Sequence, residues 1–148
     1  MNGAISIAFL AVCLLVSPES FAQPTADGMP TYEVFQKTIG QYPYHAKTER
    51  KAKIISGIAA LKVCMDKKQI QSLIGAPDYS RVSYGPKGPG EKWLGTSWKY
   101  YLTKQSSLVN SNDSAVEVFF DTNNRAHWIV PRHIDGASEI GAVSGKCL

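Results

Sequence analysis

The sequence predicts an α+β fold, with two or three N-terminal helices packed on one face of a three- to four-stranded antiparallel meander sheet. Apolar residues recur at helical spacing up to Pro77 and then at every second position up to Pro131. The alternating segments follow one another without an intervening helix, so neighbouring strands must run mostly antiparallel. Helices that precede a run of strands are typical of this fold class.

Residues 65–78 carry start and stop signals for one short helix. Asp66 can cap its N-terminus, and Gln69, three residues later, can bond back to the cap as a capping box. Gly75 can adopt the left-handed conformation that ends a helix, and Pro77 prevents its continuation. The apolar face of this helix comprises Ile70, Leu73 and Ile74.

Two further helices are predicted before this one. Thr31 can cap a short helix over residues 32–39, which Gly40 ends. Thr48 can cap a second helix from about residue 49 to residue 62. The apolar face of the second helix comprises Ile54, Ile55, Ile58 and Leu61.

Four segments alternate in hydrophobicity and are predicted to be strands, namely 81–84, 98–102, 115–120 and 126–130. Glycines and prolines between residues 85 and 90 exclude a strand interior and predict a long loop. The alternation places four large aromatic side chains in the core, namely Trp98, Tyr100, Phe120 and Trp128. The neighbouring His127 is expected to point to solvent.

The N-terminal residues 1–22 are typical of a secretory signal peptide, which predicts a periplasmic or secreted protein. Residues 5–16 are almost wholly apolar but too few to span a membrane, and residues 20–22 suit cleavage before Gln23. A buried N-terminal helix is the alternative. The residues before Cys13 resemble a lipobox but carry a valine where a small residue is expected, so a soluble mature protein is favoured over a lipid-anchored one.

Removing 22 of the 148 residues leaves 126, the size of one domain. Residues 23–47 are expected to form an N-terminal extension with one short helix, disordered up to Pro30. Residues 48–131 are expected to form the α+β domain. Residues 132–148 form a C-terminal tail that is rich in small residues.

The mature chain is mildly basic. Its 16 basic residues stand against 11 acidic ones once Glu19 is removed with the signal peptide, which gives a net charge of +5. Such a balance could favour contact with an anionic membrane surface, but the charges are spread along the chain, which favours ordinary solubility. A cluster on the second helix comprises Lys47, Arg50, Lys51 and Lys53; a solvated helix face is favoured over a site for phosphates or lipid headgroups. No nucleic-acid partner is predicted.

Cys64 and Cys147 are the two cysteines of the mature chain. In an exported protein an even cysteine count favours a disulfide. Closing a loop of about 80 residues would stabilise the fold by roughly 4–5 kcal/mol in the chain-entropy model. Two free thiols or a zinc site are the alternatives, and the lack of a nearby histidine pair argues against zinc.

The residues offer little for catalysis. The three histidines, His45, His127 and His133, are scattered through the chain, and no serine-hydrolase, zinc-protease or phosphate-loop motif occurs. Cys64 could act as a nucleophile, but its position beside a helix cap favours the bridge. The sequence therefore predicts no catalytic residue, no metal ligand and no cofactor.

The candidate contact surface comprises Tyr84, Lys87 and Trp93, which lie in and beside the glycine- and proline-rich loop. Function concentrates on loops that a sheet holds in place, so this loop is a reasonable site for a protein partner. A plain hairpin loop without a partner is the alternative.

Several segments resemble the SmpA/OmlA family of small cell-envelope proteins, the BamE-like proteins. The resemblance covers residues 60–130. Residues 61–66 and 73–78 are similar to the turn, the short helix and the Leu-Gly-x-Pro exit with which that family opens. Residues 98–100 match its Trp-x-Tyr strand, and residues 118–121 match its Val-x-Phe-Asp strand with one residue of slack.

The chain departs from the family pattern at two positions, since Cys64 stands where the family has glycine and Asp66 where it has threonine. The resemblance implies two helices against a three-stranded antiparallel sheet, a fold shared with β-lactamase-inhibitor-like domains. It also implies a non-catalytic periplasmic protein that contacts a protein partner in the envelope, as in outer-membrane assembly. An inhibitor of an enzyme and a small hydrolase without a visible motif are the alternatives.

Overall fold

The structure, a computed structural model, describes residues 27–84, 93–142 and 147. The signal-peptide prediction for residues 1–22 lies outside these ranges. No helix within them is long and apolar enough to cross a bilayer. The elements in chain order are α1 Tyr32–Thr38, β1 Tyr44–His45, α2 Thr48–Ile58, α3 Lys67–Ile74, β2 Tyr79–Tyr84, β3 Trp93–Lys104, β4 Ser114–Phe120, β5 Ala126–Arg132 and β6 Ile140–Gly141.

The α+β class is confirmed, since the described residues form three helices and an antiparallel sheet whose strands are β1 to β6. Strands β1 and β2 both pair with β3, which is followed across the sheet by β4, β5 and β6. The described sheet thus has six strands rather than three or four. Strands β1 and β6 have two residues each, which is too short for alternation to reveal them in a sequence.

Helix α3 begins and ends as predicted. The Gln69 backbone N–H donates to the Asp66 carboxylate at 2.8 Å, and the Asp66 N–H donates to the Gln69 side-chain oxygen at 2.9 Å, so the capping box is complete. Gly75 ends the helix with a φ of 85°, which a residue without Cβ adopts at little cost. Helix α1 likewise has Thr31 as its cap.

Helix α2 differs from its prediction at both ends. Thr48 is already helical, and the capping position is Lys47, whose side chain makes no capping bond. The helix ends at Ile58 rather than near residue 62. There the N–H groups of Ala60 and Leu61 donate to carbonyls three residues back, which tightens the last turn and satisfies carbonyls that the helix leaves free.

The main core lies between the sheet and the helices α2 and α3. Its largest side chain is Trp98, and it includes Tyr100 and Phe120, which are fully buried beneath the two helices. Gly57 on α2 allows the helices to approach, because a Cβ there would lie 2.6 Å from the carbonyl oxygen of Leu73 on α3. Helices α2 and α3 therefore lie on the same face of the sheet.

Helix α1 packs on the opposite face, which corrects the prediction that all helices share one face. Its Phe35 stacks on Tyr101 with ring centroids 5.6 Å apart and nearly parallel planes. Phe35, Tyr79, Tyr101 and Ala115 form a second, smaller core. Because successive residues of a strand point to opposite faces, Tyr100 faces α2 and α3 while Tyr101 faces α1.

Two predictions fail on β5. Its pairing with β4 shifts in register between Phe119 and Phe120 of β4, and this shift disturbs the alternation along β5. After the shift Ala126 and Ile129 reach the main core, whereas Trp128 lies on the other face and stacks on Phe119 at 4.8 Å. His127, expected in solvent, is 5% exposed. Its Nδ1 lies 3.1 Å from the Ala142 carbonyl oxygen, because the end of β6 covers this part of β5.

The segment before α1 is held against the domain, which corrects the expectation of disorder for its described part. The Asp27 carboxylate accepts a hydrogen bond from the buried Trp98 indole at 2.7 Å and also receives the Ser80 hydroxyl and the Lys67 ammonium, each at 3.0 Å. The Ser80 N–H donates to the Pro30 carbonyl. The first described residues therefore satisfy polar groups of the core.

The predicted bridge between Cys64 and Cys147 is confirmed, with Cα atoms 5.3 Å apart and a sequence separation of 83 residues. Cys64 has a φ of 68°, in the left-handed region that favours glycine. The bridge attaches residue 147 to the turn before α3, beside the Ala126 carbonyl, which accepts from the Cys64 N–H.

We expect Cys147→Ser to lower the free energy of unfolding by roughly 4–5 kcal/mol, since the bridge restricts the unfolded chain over a long loop. Thermal melting with and without a reducing agent measures this. The reductant should lower the melting temperature of the parent and leave that of Cys147→Ser unchanged. Equal melting of the two proteins under oxidising conditions would contradict a stabilising bridge.

Candidate functional site

The sheet face that carries α1 also forms a cleft of about 360 Å³, beside α1 and beneath residues 105–113, the loop between β3 and β4. We call this space the sheet cleft. Its polar floor and walls comprise Tyr79, Arg81, Lys99, Tyr101, Glu117 and Arg132, and residues 109–111 and 113 close one side. Polar side chains from four neighbouring strands therefore converge in one concave site.

Glu117 occupies the centre of the sheet cleft and is 4% exposed. One carboxylate oxygen accepts from the Arg81 guanidinium at 2.6 Å and 3.1 Å and from the Ser97 hydroxyl at 3.1 Å. The other oxygen accepts from the Lys99 ammonium at 2.9 Å. Lys99 lies directly opposite Glu117 in the register of β3 and β4, which brings the two charges together across the strands.

This environment keeps Glu117 ionised. Burial disfavours the charged form, but the charges of Lys99 and Arg81 and their hydrogen bonds outweigh it, so the pKa of Glu117 is lowered from 4.5. A carboxylate whose pKa is lowered and whose oxygens already accept several hydrogen bonds is a weak base. The geometry therefore assigns Glu117 the role of holding two cationic side chains in place.

Two tyrosines form the wall of the sheet cleft next to α1. Burial raises the pKa of Tyr79 to about 12, and it raises the pKa of Tyr101 further. Both rings are therefore neutral at physiological pH and add no negative charge to the site. They supply hydroxyl groups and ring surface instead.

Arg132 at the end of β5 lies at the cleft rim and is exposed. Within the described ranges no carboxylate lies within 4.0 Å of its guanidinium group. It faces Ala115 in the register of β4 and β5, so no side chain with a charge stands directly opposite it. Its hydrogen-bond donors are accordingly available to a ligand.

The loop over the sheet cleft is organised by a buried lysine at its base. Lys104 is fully buried, and its ammonium group donates to the carbonyl oxygens of Ser106 at 2.7 Å and Leu108 at 2.9 Å. Its nitrogen also lies 5.4 Å from the ring centroid of Tyr101 and 5.7 Å from that of Tyr32, within reach of cation–π attraction. The first half of the loop therefore wraps around the ammonium group of Lys104.

Asp113 organises the second half of the loop. Its carboxylate accepts from the backbone N–H of Gln105 at 2.8 Å and of Asn110 at 3.3 Å, and it lies 3.9 Å from the Lys104 ammonium. The loop therefore contains a buried ion pair in which each partner also bonds to loop backbone. Such a pair fixes the loop conformation, because leaving either charge unpaired in the interior is costly.

Two other elements hold the same loop from outside. The Tyr32 hydroxyl and the Gln36 amide on α1 both donate to the Ser107 carbonyl oxygen at 2.8 Å. His133, which follows β5, hydrogen-bonds to the Ser111 carbonyl through Nε2. The loop is thus attached to a helix on one side and to the end of a strand on the other.

The loop nevertheless presents two aliphatic side chains to solvent. Leu108 is 75% exposed and Val109 is 92% exposed, the highest values among the large hydrophobic residues that the structure describes. Val109 also lines the sheet cleft. The loop is therefore fixed by buried bonds and yet exposes two adjacent apolar side chains.

Of the predicted contact residues, Lys87 lies outside the described ranges, as do the side chains of Tyr84 and Trp93. The backbones of Tyr84 and Trp93 pair where β2 meets β3. The prediction that these three residues form a contact surface therefore stays a prediction.

The sequence predicts no helix or strand between the segments 98–102 and 115–120, and nothing in its pattern indicates the sheet cleft. A usable signal for the loop itself was present, since Lys104 and Asp113 flank a loop with Leu-Val at its tip. The role of Glu117 depends on pairing between strands that the alternation pattern does not specify. Cys64, considered as a nucleophile, is in the disulfide.

The lysines of the basic cluster on α2 are exposed to solvent, but Arg50 is an exception. Its guanidinium donates to the Asp78 carboxylate at 2.9 Å and to the Ala76 carbonyl at 2.8 Å. The exposed lysines of the cluster are Lys47, Lys51 and Lys53. Arg50 therefore joins α2 to the segment after α3 and belongs to the frame of the fold.

The described part of the chain contains no group of three or more histidine, cysteine or acidic side chains placed to hold a metal ion. Comparison of the chain with protein-family models, with curated proteins and with solved structures finds no match. The site must therefore be interpreted from its own geometry and charge.

We expect Lys104→Met to lower the free energy of unfolding by about 1–3 kcal/mol, because two loop carbonyls and Asp113 lose a buried partner. Urea unfolding measures the loss, and hydrogen exchange at the Gln105 and Asn110 amides should accelerate. Lys37→Met, at an exposed position on α1, is the matched control and should change neither. Unchanged exchange in Lys104→Met would contradict the role of the lysine in fixing the loop.

We expect Glu117→Gln to cost about 1–3 kcal/mol at neutral pH, because Arg81 and Lys99 lose their common partner. Since the pKa of Glu117 is lowered in the folded state, its contribution is present above 4.5 and is lost as the pH falls through the folded value. The difference from the parent should therefore shrink in acid, as urea unfolding over a pH series would show. Glu49→Gln, at an exposed position on α2, is the control; a pH-independent difference for Glu117→Gln would refute this assignment.

Proposed function

We propose that this chain is a non-catalytic, exported protein of the cell envelope that acts by binding a protein partner. The contact surface that we assign comprises the loop 105–113 with the adjoining sheet cleft. The export assignment rests on the signal-peptide character of residues 1–22. The role proposed is like that of the SmpA/OmlA family, in which small envelope proteins support outer-membrane assembly.

One observation carries the proposal, namely the exposure of Leu108 and Val109 on a loop that buried charges hold in place. An aliphatic side chain in water gains free energy when a partner covers it, roughly 25 cal/mol for each Å² removed from water. A loop that is already ordered loses little conformational entropy on binding. The pair is therefore well suited to serve as an anchor for another protein.

Three features support the resemblance to the SmpA/OmlA family. Cys64 has the positive φ that suits the glycine of the family pattern. The capping box at Asp66 and the left-handed Gly75 give the short helix the bounds that the pattern requires. Helices α2 and α3 cover β3, β4 and β5, which we assign to the family arrangement of two helices against three antiparallel strands.

An inhibitor of an envelope or secreted enzyme is the second candidate function. The same loop favours it, because an ordered loop with an apolar tip can insert into the active-site cleft of a target. The two functions differ in the partner. An assembly role requires a membrane-associated complex, whereas an inhibitor requires one soluble enzyme in stoichiometric amount.

Photo-crosslinking from position 109 tests the proposal. A benzoylphenylalanine replacing Val109 should form a crosslinked adduct of discrete mass when the full chain is expressed in cells with an envelope. The same probe replacing Ile55, which is 46% exposed on α2, is the matched control and should give no such adduct.

The identity of the adduct separates the two functions. A component of the outer-membrane assembly machinery supports the first, and a single soluble enzyme supports the inhibitor. An adduct from position 55 but not from position 109 would refute the contact surface. Recovery of the chain from the cytoplasm alone would refute the envelope assignment.

A further inference from the structure

We propose that the sheet cleft binds an acidic side chain of a segment of the protein partner. This inference rests on the proposed function, because it names the chemistry of the partner segment that enters beside the loop 105–113. Three properties of the cleft favour such a ligand, namely its charge, the donors that the fold leaves available and the other groups that line it.

The sheet cleft carries a formal positive charge. Arg81, Lys99 and Arg132 contribute three cations, and Glu117 contributes one anion, which leaves a charge of +2. Asp113 at the cleft wall is balanced by the buried Lys104 at 3.9 Å. The tyrosines stay neutral because burial raises their pKa values. An anionic group entering the cleft therefore meets a favourable field.

The fold places the cationic groups before any ligand arrives. Glu117 uses the Nε and Nη2 atoms of Arg81 and leaves Nη1, which makes no hydrogen bond within the described ranges. Arg132 at the rim has no ion-pair partner there. Because Arg81 is already fixed, a ligand that bonds to it avoids part of the entropy cost of ordering a long side chain. A guanidinium group also matches the planar fork of a carboxylate.

The remaining lining favours a peptide over a phosphate group. Val109 and the rings of Tyr79 and Tyr101 offer apolar surface, which a peptide can cover beside its carboxylate. A volume of about 360 Å³ suits a few residues of an extended chain.

A titration monitored by NMR tests this inference with purified mature protein carrying the disulfide. The probe is the blocked tripeptide acetyl-Asp-Glu-Asp-amide, and its matched control is acetyl-Asn-Gln-Asn-amide, which has the same shape without charge. We expect the acidic peptide to shift the backbone amides of Asn110, Ser111 and Arg132 in a saturable manner, and the neutral peptide to leave them unchanged. Equal shifts from both peptides, or none from either, would overturn the proposal.

Single substitutions locate the site. Arg132→Gln removes an exposed charge with no ion-pair partner in the described structure, so the fold should be retained while affinity for the acidic peptide falls about two- to fivefold, the effect of one partly screened ion pair. Lys51→Gln, which removes an exposed charge from α2, should leave the affinity unchanged. Equal weakening by both variants would indicate nonspecific attraction to a basic protein and would overturn the site.

Two further arms separate this inference from other sources of charge and from the proposed function. Inorganic phosphate that shifts the same amides more strongly than the acidic peptide, at matched ionic strength, would overturn the choice of a carboxylate. The titration needs no cellular partner, so its failure refutes the cleft chemistry while the crosslinking from position 109 continues to test the proposed function. Peptide binding without any crosslinked partner would support the cleft chemistry and count against the proposed function.

Discussion

The fold depends on the two-sided burial of β3, the longest strand. Tyr100 lies under α2 and α3 and is fully buried, while its neighbour Tyr101 lies under α1 and is 3% exposed. The pleat of a strand forces adjacent side chains to opposite faces, so one run of aromatic residues must be covered twice. A second apolar layer is therefore required, and α1 supplies it through Phe35. Because α1 covers only one end of this face, the remainder is free to form the sheet cleft.

Local signals made part of this structure predictable, and nonlocal contacts made the rest unpredictable. The ends of α3 follow from Asp66, Gln69 and Gly75, which act within a few residues of one another. The position of Trp128 outside the main core follows instead from a register shift between Phe119 and Phe120, because alternation assigns side chains to the wrong face once such a shift intervenes. The attachment of Asp27 to Trp98 spans 71 residues, and no sequence pattern signals it.

The candidate site shows the same division. Lys104 and Asp113 flank a loop, but their burial depends on α1, which precedes them in the chain by many residues and packs against the loop. Glu117 lies on the face of β4 that points away from the main core, where alternation predicts polar residues, and its partners come from β2 and β3. A sequence shows which side chains share a face, whereas the identity of cross-strand partners depends on register and strand order.

Two sets of buried charges explain why the loop 105–113 and the sheet cleft are ordered while the loop exposes apolar side chains. Lys104 and Asp113 form hydrogen bonds with the backbone of the loop 105–113, and Glu117 forms hydrogen bonds with Arg81 and Lys99. Burying charge in this way gains little net stability, since desolvation offsets much of the attraction, but it selects one arrangement over its alternatives. In this arrangement Leu108 and Val109 are exposed to solvent beside the positively charged sheet cleft. The conformational entropy of this loop is thus lost during folding, so the partner binding that we propose would require little further ordering of the loop.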